Sequence, residues 1–157
     1  MISISINGEN GDFLKIDTQK IYGYPDTTCP FGGYDTQSSI EIKVSSYNVK
    51  GLIWISTGDL YFFYKKLKKC YINLEGEAEL KSYENNLIST LKFDEYGKIA
   101  FTGKFTEKHD GYNTLEFEMI SDQSYIKSTI SQLEQMIESY GDNTGVRKAT
   151  DNTVYKT

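Results

Sequence analysis

Apolar and polar residues alternate through most of this chain, and the longest regular stretch runs from Glu77 to Met119. Ala78 and Leu80 alternate with Glu77, Glu79 and Lys81, and Leu87, Leu91 and Phe93 repeat the pattern. Ile99, Phe101 and Phe105 continue it, and Leu115, Phe117 and Met119 close it. A period of two over four successive runs describes half-buried antiparallel strands. The turns between them agree with the faces. A three-residue loop, Glu95-Tyr96-Gly97 with glycine in the left-handed position, sets Leu91 opposite Phe101 and Phe93 opposite Ile99. His109-Asp110-Gly111 solves the same problem for the next hairpin, pairing Phe105 with Leu115, Gly103 with Phe117 and, on the outer face, Lys104 with Glu116. Asn85-Asn86 reads as a two-residue turn.

The earlier half carries four shorter runs. Ile2, Ile4 and Ile6 form a strand, turned by residues 7–12, and a second runs from Phe13 to Tyr22. That turn has acidic and amide oxygens but neither the ligand spacing nor the distal glutamate of a calcium loop. Ile40, Ile42 and Val44 give a third strand, and Leu52 to Ile55, with Trp54, a fourth across a turn at residues 48–51. Thr57 then reads as the N-cap of a helix in which Leu60, Phe63, Tyr64 and Leu67 share a face. Lys65, Lys66, Lys68 and Lys69 crowd its C-terminal half, where a solvated helix end favours cations. Ser121-Asp122 caps a second helix with the stripe Ile126, Ile130, Leu133 and Ile137, and Gly141 closes it. The pattern predicts a mainly β (α+β) fold: a curved or barrel-like antiparallel β-meander of about eight strands with two helices, one mid-chain and one C-terminal. Residues 1–141 form a single β-rich domain in this reading, and 142–157 a polar tail without periodicity, expected to be disordered.

One internal stretch has no period. Residues 23–37 hold both prolines, Pro25 and Pro30, together with Gly32-Gly33. A connection of this length is usually functional or disordered, and this one carries Tyr22, Tyr24, Phe31 and Tyr34, flanked by Asp26 and Asp35. Exposed, these rings would be a partner-binding surface with acidic residues to steer a basic partner. Folded back, they would cover one end of the sheet. Exposure separates the two readings.

Composition narrows the function by exclusion. In 157 residues there are 13 Tyr, 8 Phe and a single Trp, which suits a sheet protein long enough to have a real core. The net charge of -5 argues against general binding of nucleic acid or anionic membrane and in favour of a basic partner. Arg147 is the only arginine, and alanine is confined to positions 78, 100 and 149; this bias points to an AT-rich bacterial genome. Cys29 and Cys70, the only cysteines, read as free thiols of a reducing compartment. Without a basic, apolar leader or a membrane-length apolar run, a cytoplasmic location is expected.

Catalytic chemistry finds no foothold. His109 is the sole histidine and sits in a hairpin turn, so a histidine-dependent triad is not expected. No zinc ligand set, P-loop or dinucleotide fingerprint occurs. Glu75, Glu77 and Glu79 on one strand, and Glu116 and Glu118 on another, oppose the apolar face of their own strands and should point to water, where nothing tunes an acid. The chain therefore reads as a non-enzyme with no catalytic residues, metal or cofactor.

Several blocks carry a resemblance. Asp59-Leu60 and Leu67 on the first helix, the run Leu74 to Leu80 with Gly76-Glu77-Ala78-Glu79, and Ser82-Tyr83-Glu84 come first. Asp94, Gly97-Lys98-Ile99 and Gly103 follow, then Leu115-Glu116-Phe117 ahead of Ser121-Asp122-Gln123-Ser124-Tyr125. In these blocks the sequence resembles bacterial WapI-type immunity proteins and related domains. The resemblance implies a cytoplasmic protein that binds and neutralises a toxin domain delivered by a neighbouring cell, toxins that often attack nucleic acids. A second reading, from strand number and inward aromatics, is a small β-barrel module that binds an apolar small molecule.

Overall fold

The structure, a computed structural model, describes residues 1–107 and 113–146. The elements follow as β1 (Ser3–Asn7), a 3-10 turn (Glu9–Gly11), β2 (Phe13–Tyr22), β3 (Asp35–Val44), β4 (Tyr47–Ser56) and α1 (Thr57–Asn73). After these come β5 (Gly76–Lys81), β6 (Leu87–Phe93), β7 (Lys98–Thr106), β8 (Thr114–Asp122) and α2 (Gln123–Tyr140). All strand pairs are antiparallel, in two four-stranded meanders ordered β1-β2-β3-β4 and β5-β6-β7-β8. The mainly β class, the curved antiparallel meander of eight strands and the two helices hold; among the described residues the strands form two open four-stranded sheets, separated in the chain by α1, and not a closed barrel.

Both sheets turn their alternating apolar residues into one shared core. Ile4, Ile6, Leu14, Ile16, Ile40 and Ile42 come from the first sheet and Leu80, Leu91, Ile99, Phe101 and Phe105 from the second. Leu60, Phe63 and Leu67 of α1 and Ile126, Ile130 and Leu133 of α2 complete it. α2 also covers the open edge of β1, where the Ser5 N–H donates to Gln132 Oε1 (2.8 Å) and Thr129 Oγ1 donates to Ser5 O (2.6 Å). The unpaired peptide groups of Ser5, at the middle of this edge strand, are thereby satisfied, which hinders further strand addition.

The second meander matches the sequence register. Leu91 pairs with Phe101, Phe93 with Ile99, Phe105 with Leu115, Gly103 with Phe117 and Lys104 with Glu116. The Asp94 N–H donates to Lys98 O (2.9 Å) across Glu95-Tyr96-Gly97, with Gly97 at φ 81°. The His109-Asp110-Gly111 turn lies outside the described residues.

Four local expectations shift. The β3–β4 turn is Ser45-Ser46, between the paired residues Val44 and Tyr47, and residues 48–51 are strand. Gly51 is small for a different reason: a Cβ there would lie 2.7 Å from Cζ of Phe105 on β7. The β5–β6 connection is five residues (82–86), not two: the Ser82 N–H donates to Leu87 O (3.1 Å), and the buried Asn86 is spent on Ser82 and the Leu52 carbonyl. Ser56, not Thr57, caps α1: its Oγ accepts from the Asp59 N–H while the Asp59 carboxylate accepts from the Ser56 N–H, each at 3.0 Å, a reciprocal capping box. Finally, the irregular segment ends at Tyr34. β3 starts at Asp35 because the inward Thr36 and Ser38 hydroxyls bond each other, and Thr36 Oγ1 donates to Ile55 O (2.6 Å), so polar residues are buried without penalty.

Asp122 caps α2 by accepting from the Ser124 and Tyr125 N–H groups. Its carboxyl is held below the usual range chiefly by the Ser124 hydroxyl, against a weaker opposing effect of burial. A lowered native value means that the cap's contribution is present above the ordinary carboxylate pKa, about 3.9, and is lost as pH falls through the native value. Asp122→Ala should therefore cost about 1 kcal/mol by urea denaturation at neutral pH. The difference from wild type should shrink in acid, and a pH-independent difference would assign the effect to packing.

Candidate functional site

The irregular segment between β2 and β3 is built as a rigid element. Within it the Cys29 N–H donates to Gly33 O (2.8 Å) and the Gly32 N–H to Cys29 O (3.0 Å), forming a tight turn. The first turn of α1 holds that turn from below: the Gly58 N–H donates to Gly32 O (3.2 Å), the Thr57 N–H to Tyr34 O (2.9 Å), and the Tyr34 N–H to Thr57 Oγ1 (2.8 Å). Helix N-terminal donors without a partner in the helix are thus used to fix a loop. The approach is close enough that a Cβ on Gly58 would lie 2.4 Å from Gly32 O. From the other side, residues 142–146, which the sequence pattern places in the polar tail, run against the loop, and the Gly33 N–H donates to Asn143 O (2.7 Å).

The rings divide into two groups. Tyr34 is 0 % exposed; its hydroxyl donates to Pro25 O and accepts from the Val146 N–H, both at 2.9 Å. Tyr24, 49 % exposed, packs one side edge-on between Tyr34 (5.3 Å) and Tyr140 of α2 (5.2 Å) and leaves the rest at the surface. This inner group closes one end of the molecule, and Tyr34 is corrected from a partner-facing residue to a core anchor. The outer group is different. Phe31, 49 % exposed, stacks on Tyr83 of the β5–β6 loop with centroids 4.1 Å apart and planes 4° from parallel. Tyr22, 44 % exposed, leans on Trp54 of β4 at 5.7 Å. Leu52, 53 % exposed, lies on the same outward face of β4 as Trp54, two residues away.

Tyr22 faces outward because of a bulge. The register of β2 on β3 pairs Thr18 with Ser38 but Lys20 with Gln37, so Gln19 is an extra residue. The core face passes from Leu14, Ile16 and Thr18 to Ile21, which packs against the core. A one-residue insertion reverses every later side chain, and Tyr22 comes out beside its cross-strand partner Asp35.

Asp35 is the hinge between the two aromatic pairs. It sits opposite both Tyr22 and Ser56 in the sheet and accepts the Tyr83 hydroxyl at 2.8 Å. Burial, followed by this bond to a carboxylate, pushes the Tyr83 hydroxyl well above its usual pKa. Burial likewise raises the Asp59 carboxyl, with bonds from Ser56 opposing and the charge of Asp35 adding to the shift. Among the described residues the ion pairs are Lys15–Asp17, Lys50–Glu41, Lys68–Glu134, Lys81–Glu79 and Lys98–Glu9, none of which involves Asp35 or Asp59.

Of the six residues singled out from sequence, Tyr22, Phe31 and Asp35 converge on this face. Tyr24 joins the inner rings, Tyr34 is buried, and Asp26 is exposed on the loop. Sequence reasoning missed Trp54 and Tyr83. The first was legible, since the flanking Ile53 and Ile55 face the core and force Trp54 out. The second was not, because a loop residue has no period. Among the described residues no group of three or more His, Cys, Asp or Glu could hold a metal ion, and no helix is long and apolar enough to cross a membrane.

A family model for the immunity protein WapI-like family matches residues 5–141, from β1 through the C-cap of α2. The chain belongs to the WapI-like immunity protein family. No curated protein and no solved structure was found to match it. The WapI-like match spans both sheets, both helices and every residue of the aromatic face. Membership in a WapI-like immunity family points to a toxin-immunity role, for which the relevant feature is a surface that another protein can cover.

Proposed function

We propose that this chain is a bacterial immunity protein of the cytoplasm that binds and neutralises a cognate toxin domain, without catalysis, through the face formed by Tyr22, Phe31, Leu52, Trp54 and Tyr83 around Asp35. The observation that carries the role is the WapI-like match over residues 5–141. The choice of face is supported by large rings that are part exposed yet packed in pairs, with the Phe31 loop fixed by backbone bonds, so less side-chain freedom remains to be lost on association. The net charge of -5 suits a basic partner, such as a toxin that acts on nucleic acid.

The test is to search the neighbouring genes for one encoding a large secreted protein with a C-terminal toxin domain and to coexpress that domain with this chain. That domain alone should arrest growth, the chain should lift the arrest, and the two should copurify as a salt-sensitive complex. Arrest that persists despite soluble expression of the chain would reject the role.

A further inference from the structure

The aromatic face has a chemistry more specific than hydrophobic burial. Phe31 and Tyr83 present parallel rings, Tyr22 and Trp54 a second pair tilted by 33°, and Asp35 lies between the pairs. Ring faces carry negative electrostatic potential, and a carboxylate between them deepens it. Among the described residues only the Tyr83 hydroxyl donates to the Asp35 carboxylate, and no ion pair neutralises it. Asp59, near enough for its carboxyl to be raised by the charge of Asp35, adds a second negative charge to this region. Lys81, whose charge Asp59 feels, is itself 3.3 Å from Glu79.

A purely apolar partner group would fit this face poorly, because covering a carboxylate that has the Tyr83 hydroxyl as donor but no countercharge costs free energy that the rings do not repay. An ammonium would answer the charge but not the flat rings. A guanidinium answers both: it is planar, stacks on aromatic faces, and offers forked donors to a carboxylate. We infer that the Tyr22, Phe31, Trp54 and Tyr83 rings together with Asp35 form a receiving site for an arginine side chain of the partner. This identity of the partner group rests on the reading of the face as a toxin-binding surface.

The chain contains its own reporter, since Trp54 is the only tryptophan and touches Tyr22. Tri-arginine amide titrated into the full chain should change Trp54 emission saturably. Tri-citrulline amide, of the same shape without the charge, should bind at least about tenfold more weakly, and tri-lysine amide should fall between them. Asp35→Asn, which keeps an acceptor for the Tyr83 hydroxyl, and Phe31→Leu, which keeps apolar bulk without the ring, should each weaken the arginine response by about fivefold or more. Glu118→Gln, on an exposed strand face of the other sheet, should leave it unchanged. Circular dichroism and thermal melting confirm that each variant is folded. Equal responses to arginine and citrulline, or an arginine response untouched by Asp35→Asn in a folded variant, would overturn the inference. If that happens while the chain still captures the toxin domain and loses it on Tyr22→Ala, the face stands and only the arginine fails. If toxin capture is indifferent to Tyr22→Ala, the reading of the face itself fails.

Discussion

Replacing Tyr34 by alanine should remove about 3–5 kcal/mol of stability, the range for truncating a fully buried aromatic side chain. The ring is 0 % exposed, so its loss leaves a cavity that the surrounding backbone cannot easily fill. That backbone is already fixed by Thr57, Gly58 and Asn143, which bond to residues 32–34. The hydroxyl adds a separate contribution, since it joins Pro25 O to the Val146 N–H. Tyr34→Phe keeps the ring and strands both groups, for an expected loss of about 1–3 kcal/mol. Urea denaturation followed by Trp54 emission measures both. A loss below about 1 kcal/mol for the alanine variant would show that the ring is not part of the core.

The largest effect on binding should come from the outer rings. Tyr22→Ala and Phe31→Ala should each weaken capture of the toxin domain by about 2 kcal/mol or more, roughly 30-fold in Kd, as central aromatic residues of interfaces do. Their melting temperatures should stay close to wild type, because each ring is nearly half exposed and supports one neighbour, Trp54 or Tyr83. Tyr96→Ala is the control, an exposed tyrosine on the β6–β7 turn at the opposite end of β6 from Tyr83, and it should change neither quantity. Isothermal calorimetry and differential scanning fluorimetry on the same preparations separate the cases. Equal loss of stability and affinity would make the outer rings part of the fold, as Tyr34 is.

These two groups of rings lie within a few residues of each other, and the sequence treats them alike. Tyr24, Phe31 and Tyr34 all fall in a segment without periodicity, where nothing local distinguishes a ring that points inward. Tyr34 is buried by the approach of the first turn of α1 and of residues 142–146, contacts between parts of the chain 23 and 112 positions apart. Tyr22 is among the rings that the sequence singles out, but the cause of its outward direction, the break in parity between Thr18 and Ile21 that marks the bulge, came only with the structure.

What the sequence determined by itself is what depends on neighbours along the chain. Alternation at period two fixed the faces of the strands, and the odd loop at Gly97 fixed a register in which Phe93 meets Ile99. The apolar stripes and the caps at Asp122 and Gly141 fixed α2. The tertiary structure alone decided what depends on distant partners. It split the strands into two open sheets instead of a barrel, buried Thr36 and Ser38 in β3 by satisfying their hydroxyls, and called for glycine at position 51 to admit Phe105. It also brought Tyr83 onto Phe31, from residues 52 positions apart, to make the face proposed for the partner. Periodicity records which side of its own element a residue occupies; which other element it meets there is settled only when the chain closes on itself.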